Sequence, residues 1–305
     1  MIRQRIVFVI GAGASHPYGF PLGTGLVDAT VTGTGAIANR LCTVLMEAGN
    51  DYGHIRAFHT DLAASRPRSI DQFLRRRPEY ATVGKQAIVQ QLLLCEDASV
   101  VAQCKSDADW LTYLTSTVLC GETLDDVLAN NVTFVTFNFD RLLEFRLTTW
   151  LSSTYGVSVD LVADILRKFG VIHVHGKLGA LPWLAAPDEL QRHFQPDNYD
   201  GRDVAKFAEQ LHIIGDGVDD EPTDLVSRAL SAADQVCFVG FGYDRTNMGW
   251  LQKCGLDKSL GRYGTRLGLT DAEARPATEA GIMFPAGVDA DAKAFLRRHT
   301  VLHDA

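Results

Sequence analysis

The sequence predicts an α/β protein with a Rossmann-like, mostly parallel sheet, helices on both faces and a helical insertion. Residues 6–10 form an unbroken apolar run rich in β-branched side chains, which is typical of a strand buried on both faces of a parallel sheet. A second apolar run at 132–137 leads directly into a helical pattern at 141–154. Strands and helices then alternate, so a ligand is expected at the carboxyl ends of the strands.

The later elements follow the same alternation. Further strands are predicted at 171–174, 235–241, 265–269 and 282–284. Further helices are predicted at 159–169, 203–211, 223–233, 247–254 and 290–298. We expect the whole chain, 1–305, to form a single domain.

Two segments interrupt the alternation. Residues from about 25 to about 130 are predicted to form the helical insertion, because apolar spacing of three and four recurs there without a strong strand. Its helical patterns lie at 36–48, 83–95 and 109–119. Residues from about 181 to about 217 are polar and contain three prolines. We expect this excursion to lie over the active face, either as a lid or as a surface loop with one short helix.

Composition narrows the class of protein. The chain has 305 residues, of which 46% are hydrophobic and 22% charged, and its formal net charge is −8. This acidic balance argues against direct binding of nucleic acid, which depends on clustered Lys and Arg. No apolar stretch approaches the roughly 20 residues that span a membrane, and we expect a cytoplasmic protein without membrane contact.

The cysteines show no metal-binding pattern. They form no CxxC pair and no Cys/His group at zinc spacing, and they lie at Cys42, Cys95, Cys104, Cys120, Cys237 and Cys254. We therefore expect reduced thiols and no bound metal.

The first chemical motif is VFVIGAGAS, in which a predicted strand ends in a glycine-rich loop. Gly11 and Gly13 allow backbone amides to approach a pyrophosphate, and Ser15 follows them. The loop is also compatible with a tight turn that binds nothing. The full GxGxxG spacing is missing, and no acidic residue closes a second strand about 20 residues later, which disfavours an ordinary dinucleotide dehydrogenase.

Two further motifs follow predicted strands. In TFVTFNFD, Asn138 and Asp140 stand where α/β sheets place their chemistry, although both could instead cap the next helix. In VIHVHGKLG, His173 and His175 are two residues apart, and Gly176 frees the backbone beside His175. A histidine here can accept a proton from a hydroxyl or a water. A structural role and half of a metal site are the alternatives, but no third ligand cluster stands out.

In their order along the chain, these motifs resemble the sirtuin-like family, and in particular its NAD-hydrolysing branch in prokaryotic antiphage defence. The order is GAGAS followed by Gly19-Phe20-Pro21, then TFNFD, then HG, then FVGFGYD at 238–244. SIDQFL at 69–74 resembles a further element of that branch. The resemblance implies catalytic roles for Asn138, His175 and Asp140, with His175 as the base. It implies phosphate contacts for Gly11, Ala12, Gly13 and Ser15. It also implies further NAD contacts for Pro21, Gly240 and Gly242, and a position near the nicotinamide pocket for Asp71.

This sequence departs from the protein-deacylating sirtuins in two places. The paired CxxC motifs of their zinc ribbon are missing, and GFGYD stands where they have a glycine-threonine-serine element. Both departures argue against recognition of acyl-lysine. We therefore predict an NAD hydrolase that takes NAD as its substrate, releases nicotinamide and ADP-ribose, uses no metal, and depletes cellular NAD in antiphage defence.

The resemblance also implies partners. We expect the chain to work as a homo-oligomer or in a complex with a co-encoded defence protein. Two alternative functions stay open. One is a non-catalytic module that senses NAD or ADP-ribose in a regulatory complex. The other is a protein deacylase or ADP-ribosyltransferase, which would need an acceptor peptide.

Overall fold

A five-stranded parallel sheet lies at the centre of the computed structural model, which describes residues 2–32, 36–196, 199–213, 220–256, 261–299 and 302. The strands are β1 (Ile6–Ile10), β2 (Val132–Thr136), β3 (Val171–His173), β4 (Gln235–Val239) and β5 (Gly261–Gly264). Their order is β3-β2-β1-β4-β5, and each adjacent pair is parallel. The arrangement confirms the predicted α/β class.

Both faces of the sheet are covered. Along β1, Phe8 packs in one apolar core, whereas Val7 and Val9 pack in another. Alternate side chains of a strand point to opposite faces, so two cores on one strand mean that other elements cover both sides. Every residue of β1 and of β4 is buried. The unbroken apolar run that predicted β1 is therefore explained by burial on two sides.

The strand order creates a topological switch between β1 and β4. From β1 the chain moves to β2 and then to β3 on one side, and it returns to β4 on the other side of β1. The three central strands end level, since Ile10 pairs with both Thr136 and Val239. Open parallel sheets bind ligands in the crevice at such a switch, beyond the carboxyl ends of the strands.

Helices surround this sheet. Those of the described residues, in chain order, are α1 (Ala12–Ser15), α2 (Gly23–Val31), α3 (Ala36–Glu47), α4 (Tyr52–Ser65), α5 (Ile70–Leu74), α6 (Ala81–Leu93), α7 (Ala98–Val101), α8 (Trp110–Tyr113), α9 (Leu124–Leu128), α10 (Leu142–Tyr155), α11 (Val159–Phe169), α12 (Gly201–Glu209), α13 (Asp220–Ala232), α14 (Arg245–Lys253), α15 (Asp271–Glu279) and α16 (Ala292–Arg298). None of the described helices is both long enough and apolar enough to cross a membrane.

Two predicted strands near the end of the chain were wrong. The last strand of the sheet is Gly261–Gly264, which precedes the predicted 265–269. Residues 282–284 contribute an isolated bridge, between Met283 and Tyr263, in place of a strand. β5 is an edge strand with the sequence GRYG, and it lacks the apolar run by which buried strands are recognised.

Between β1 and β2 the described residues form helices α1 to α9. The ring of Tyr80 packs against those of Phe58 and Phe73, with centroids 5.7 and 5.9 Å apart. The indole Nε1 of Trp110 donates a hydrogen bond of 2.7 Å to the carbonyl of Ala14. This bond ties α8 to α1, the first helix of the group α1 to α9, which is called here the helical layer. The limits of the insertion at about 25 and about 130 stay a prediction.

The predicted excursion at about 181–217 includes residues 197–198 and 214–219, which lie outside the described residues. Its described part contains α12, close to the helix predicted at 203–211. Arg141 and Glu96 form a buried ion pair that holds the excursion in place through further contacts. Arg192, within the excursion, also pairs with Glu96, with Nη1 2.7 Å from Oε2. Arg141 further donates to the backbone carbonyls of Ala180, Arg192 and His193.

Candidate active site

Three glycines allow the loops after β1 and β4 to touch. A Cβ at Gly13 would lie 2.8 Å from the carbonyl oxygen of Gly240, and a Cβ at Gly240 would lie 2.0 Å from the backbone nitrogen of Ala14. Gly240 also has a φ of +59°, a left-handed conformation that favours glycine. The amides of Gly11 and Gly13 donate to the carbonyls of Val239 and Gly240, at 3.1 and 2.9 Å. Close contact between the two loops therefore explains these glycines.

This contact bears on the predicted phosphate site. The amides of Gly11 and Gly13 are engaged within the protein, so they are not the donors that a pyrophosphate would use. Ala12 is exposed, and its amide stands at the first position of α1, where a helix offers no internal acceptor. A phosphate role for this loop stays a prediction, and Ala12 supplies the amide best suited to it.

Asn138, Ser15 and Asp140 form a buried hydrogen-bonded group, called here the polar triad. Nδ2 of Asn138 donates to the carbonyl of Gly11 at 3.2 Å and to Oγ of Ser15 at 3.0 Å. Ser15 also hydrogen-bonds to Asp140, so its hydroxyl accepts from the amide and donates to the carboxylate. The fold thus brings together the first and second motifs, which are 123 residues apart in the chain.

The surroundings of Asp140 raise its pKa to about 6. Burial is the main cause, because it disfavours the charged carboxylate, and the charges of Glu96 and Glu144 add to it. Oδ1 of Asp140 also accepts the amide of Leu142 at 3.1 Å, as a helix-capping role would require. The contact with Ser15 and the contact with α10 coexist, so the capping role does not exclude a chemical one.

His175 lies two residues beyond β3. Its ring packs edge-on against Phe137, with centroids 5.3 Å apart, and lies 6.4 Å from the ring of Phe139. These two phenylalanines flank Asn138 in the sequence. His175 is 5% exposed, and neither of its ring nitrogens has a hydrogen-bond partner among the described residues. Buried polar groups are normally paired, so this imidazole is a candidate for contact with a ligand.

The pKa of His175 is lowered to about 4, mainly by burial, with smaller contributions from the charges of His212 and Arg75. The ring is therefore neutral at pH 7, and one of its nitrogens is able to accept a proton. Gly176 follows with a φ of +77°, and the amide of His212 donates to the carbonyl of His175 at 2.9 Å. The end of the described excursion thus contacts the backbone of His175.

His173 has different surroundings. Its Nδ1 lies 3.1 Å from the carbonyl oxygen of Asn138, and its Nε2 lies 2.7 Å from Oε1 of Glu144. Because both nitrogens are engaged, neither is free to bind a metal ion, and the alternative of half a metal site gains no support here. Among the described residues, no group of three or more His, Cys, Asp or Glu side chains is placed to hold a metal ion.

Asp71 lies in the first turn of α5 and is half-buried. Burial raises the pKa of its carboxyl group, whereas a backbone hydrogen bond and the charge of Arg75 oppose that rise. The charge of Arg75 also lowers the pKa of His175, so α5 approaches the same region. Pro21 is half-buried in the turn before α2. NAD contacts by Asp71 and Pro21 stay predictions.

Within GFGYD, Gly242 differs from Gly240. It is exposed, and a Cβ there would meet no atom within 4 Å among the described residues. Tyr243 follows with a φ of +51°, and its buried hydroxyl donates to the carbonyl of Thr265 at 2.8 Å. Close packing therefore requires glycine at position 240, whereas the space beside Gly242 is open to a ligand.

Two supporting interactions were not predicted from the sequence. Oγ1 of Thr136 accepts the amide of Asn138 at 3.1 Å and so fixes the backbone after β2. The Arg141–Glu96 pair is buried, and the charge of Glu96 contributes to the raised pKa of Asp140. Arg141 adjoins a predicted site residue in the sequence, but no pattern around Glu96 marks it as a partner from 45 positions away.

Comparison with solved structures finds proteins named as sirtuins. One is a Sir2 in complex with an inhibitor, 2′-O-acetyl-ADP-ribose and a deacetylated peptide, with 15% identity, a TM-score of 0.42, and coverage of 97% of this chain and 92% of that one. Another is Sir2Tm bound to a propionylated peptide, with 13% identity, a TM-score of 0.41, and coverage of 97% and 91%. No family model matches the chain. No curated protein matches it either.

Proposed function

We propose that this chain binds NAD and hydrolyses the bond between nicotinamide and ribose, giving ADP-ribose and nicotinamide. The observation that carries the proposal is the unpaired, buried imidazole of His175, which lies beyond the carboxyl end of β3 and packs against the two phenylalanines that flank Asn138 of the polar triad. The order of the sequence motifs supports it, because they resemble the motifs of sirtuin-like NAD hydrolases.

The chemistry requires few side chains. Nicotinamide bound through its ring nitrogen is cationic and leaves as a neutral molecule, so its departure needs no general acid, and the transition state resembles an oxocarbenium ion. Asp140 carries a negative charge above about pH 6 and stabilises that cation. Both Nδ2 protons of Asn138 are used within the protein, which leaves Oδ1 to accept a ribose hydroxyl or the attacking water. The neutral ring of His175 takes up the proton that the water releases.

The decisive experiment mixes purified protein with NAD and measures nicotinamide without any acceptor peptide. Release under these conditions supports a hydrolase. NAD binding without release would favour the sensor, and release that depends on an acylated or acceptor peptide would favour a deacylase or transferase.

A matched pair of variants assigns the activity to the candidate site. His175→Ala should abolish nicotinamide release. His59→Ala is the control, because His59 is also partly buried with an unpaired Nε2, but it lies on α4 within the helical layer. Equal loss in both variants would contradict the proposed site.

We also propose that catalysis uses no metal. Chelation should leave nicotinamide release unchanged, and metal analysis of the purified chain should find less than stoichiometric zinc. Stoichiometric zinc that survives dialysis, and whose removal unfolds the chain, would contradict this and favour the deacylase alternative.

In the cell, we propose that the chain acts in the cytoplasm in antiphage defence, as a homo-oligomer or with a co-encoded defence protein. A hydrolase of this kind would arrest the infected cell by removing its NAD. Infection of cells that carry the gene should therefore lower cellular NAD before lysis, and His175→Ala should abolish both the fall in NAD and protection from phage.

A further inference from the structure

His173 connects β3, α10 and the segment after β2. Its Nδ1 bonds to the backbone carbonyl of Asn138 at 3.1 Å, and its Nε2 bonds to the carboxylate of Glu144 at 2.7 Å. The side chains of His173 and Glu144 are 7% and 6% exposed. This pair is therefore as buried as the polar triad, and it contacts the backbone of Asn138.

The donors and acceptors of this pair can be assigned. A carbonyl oxygen only accepts, so Nδ1 of His173 carries a proton and donates it to Asn138. Burial raises the pKa of Glu144, but the charge of His173 and its hydrogen bond outweigh burial, and the pKa is lowered overall. Nε2 of His173 shares a hydrogen bond with the carboxyl group of Glu144, which holds the ring in the orientation that presents Nδ1 to Asn138.

The backbone amide, the backbone carbonyl and the side chain of Asn138 all form hydrogen bonds within the protein. Oγ1 of Thr136 accepts its amide, His173 donates to its carbonyl, and its side chain bonds to Gly11 and Ser15. A small displacement of a positioned catalytic group costs a large factor in rate. We propose that His173, oriented by Glu144, is a positioning residue that fixes Asn138 for its contact with the ribose or the water, an inference that rests on the proposed function.

His173 does not itself touch the substrate. Both of its nitrogens are engaged within the protein, in contrast to those of His175. Its effect should therefore fall on turnover and leave NAD affinity nearly unchanged. The essential element is the donor to the Asn138 carbonyl, whereas the hydrogen bond to Glu144 only keeps that donor in place.

Two double variants separate the donor from the rest of the pair. His173→Asn with Glu144→Gln removes the imidazole and the carboxyl group but keeps an amide donor near the position of Nδ1. His173→Leu with Glu144→Met removes both groups and the donor, and exchange of a buried pair of ionisable groups for apolar side chains is often tolerated. We expect the first variant to keep kcat within about threefold of the wild type, and the second to lose about 10- to 100-fold in kcat with an unchanged Kd for NAD.

Two results would overturn the proposal. One is a wild-type kcat in the apolar variant. The other is an equal loss of kcat in both double variants that is proportional to the loss in their melting temperatures. Should the apolar variant fail to fold, single changes at Glu144 provide the same contrast. Glu144→Gln should keep kcat, because its amide can donate to a neutral His173, whereas Glu144→Ala should lose it. Equal turnover in these two variants overturns the proposal.

A second readout does not depend on NAD cleavage. With selective ¹⁵N labelling of asparagine, the side-chain NH₂ signals of Asn138 report its bonds to Gly11 and Ser15. These signals should keep their positions in the His173→Asn, Glu144→Gln variant and should shift or broaden in the apolar variant. A wild type that releases no nicotinamide would refute the proposed function, while these signals would still decide whether His173 positions Asn138.

Discussion

At the scale of single residues, His175 and Asp140 respond to burial in the same way but with opposite consequences for protons. Burial disfavours the charged form of each, since the pKa of the imidazole falls to about 4 and that of the carboxyl rises to about 6. Between pH 4 and pH 6 the folded protein keeps a proton on Asp140 and keeps one off His175. At pH 7, above both values, His175 is a neutral base and Asp140 is an ionised carboxylate.

These shifts predict opposite effects of pH on stability. For His175, the unfolded chain binds more protons between pH 4 and 6.5, so its contribution is present above 6.5 and is lost as pH falls through 4. For Asp140, the folded chain binds more protons between 3.8 and 6, so its contribution is present below 3.8 and is lost as pH rises through 6. In the wild type, the two contributions to the pH dependence of the free energy of unfolding therefore nearly cancel.

Single variants should separate the two effects. Relative to the wild type, the free energy of unfolding of His175→Gln should fall as pH rises from 4 to 6.5, and that of Asp140→Asn should rise, each by up to about 3 kcal/mol. Denaturant titrations at several pH values measure this. Parallel curves for all three proteins would show that neither group is perturbed by the fold.

Asn138 and His175 should also behave as one catalytic unit. Replacing either with Ala should remove most nicotinamide release, and the double variant should be little worse than the worse single one, because both act on one transition state. NAD affinity should persist in all three variants. If these residues only cap a helix and fill the core, each change instead costs roughly 1 kcal/mol or more of stability, and activity falls only with folding. Melting temperature, NAD affinity and turnover on the same proteins distinguish these outcomes.

At the scale of elements, the contact between the loops after β1 and β4 requires glycine at position 240 but not at position 242. A Cβ at Gly240 would collide with the backbone of Ala14, and the φ of +59° is strained for any other residue. We expect Gly240→Ala to lower stability by about 3 kcal/mol or more, and Gly242→Ala to change it by less than about 1 kcal/mol. Thermal unfolding of both variants tests this, and similar losses would contradict the packing described here.

The same elements show what sequence can and cannot predict. β1, β2 and β4 were predictable because burial on two faces demands mostly apolar, β-branched or aromatic residues, and the carboxyl ends of such strands made Asn138, Asp140 and the GAGAS loop candidates for the site. β5 was not, because an edge strand needs no such run. The roles of Thr136, Glu144 and Glu96 depend on contacts between distant segments, and local patterns carry no information about them.

At the scale of the whole molecule, exposed apolar side chains occur on several elements of a chain with a net charge of −8. Met46 and Tyr52, on either side of the turn between α3 and α4, are 43% and 54% exposed. They belong to the helical layer, in which we expect the contacts of an assembly to form. Val159 and Leu161 on α11 are similarly exposed, at 44% and 39%, but they lie outside that layer.

The exposed residues of the helical layer allow a test of whether assembly controls NAD hydrolysis. An unrestrained NAD hydrolase would poison its own host, so we expect the isolated chain to be weakly active and to gain activity on self-association or on addition of a partner. Burial of a large apolar side chain contributes about 1.5–3 kcal/mol, so two charges placed at Met46 and Tyr52 should oppose a contact there. The variant Met46→Glu, Tyr52→Glu should lose the rise in specific activity with concentration, whereas the matched variant Val159→Glu, Leu161→Glu should keep it. Nicotinamide release and light scattering over the same concentration series provide the measurement. A wild-type monomer that turns over NAD at its full rate, with no gain from concentration or partner, would refute control by assembly.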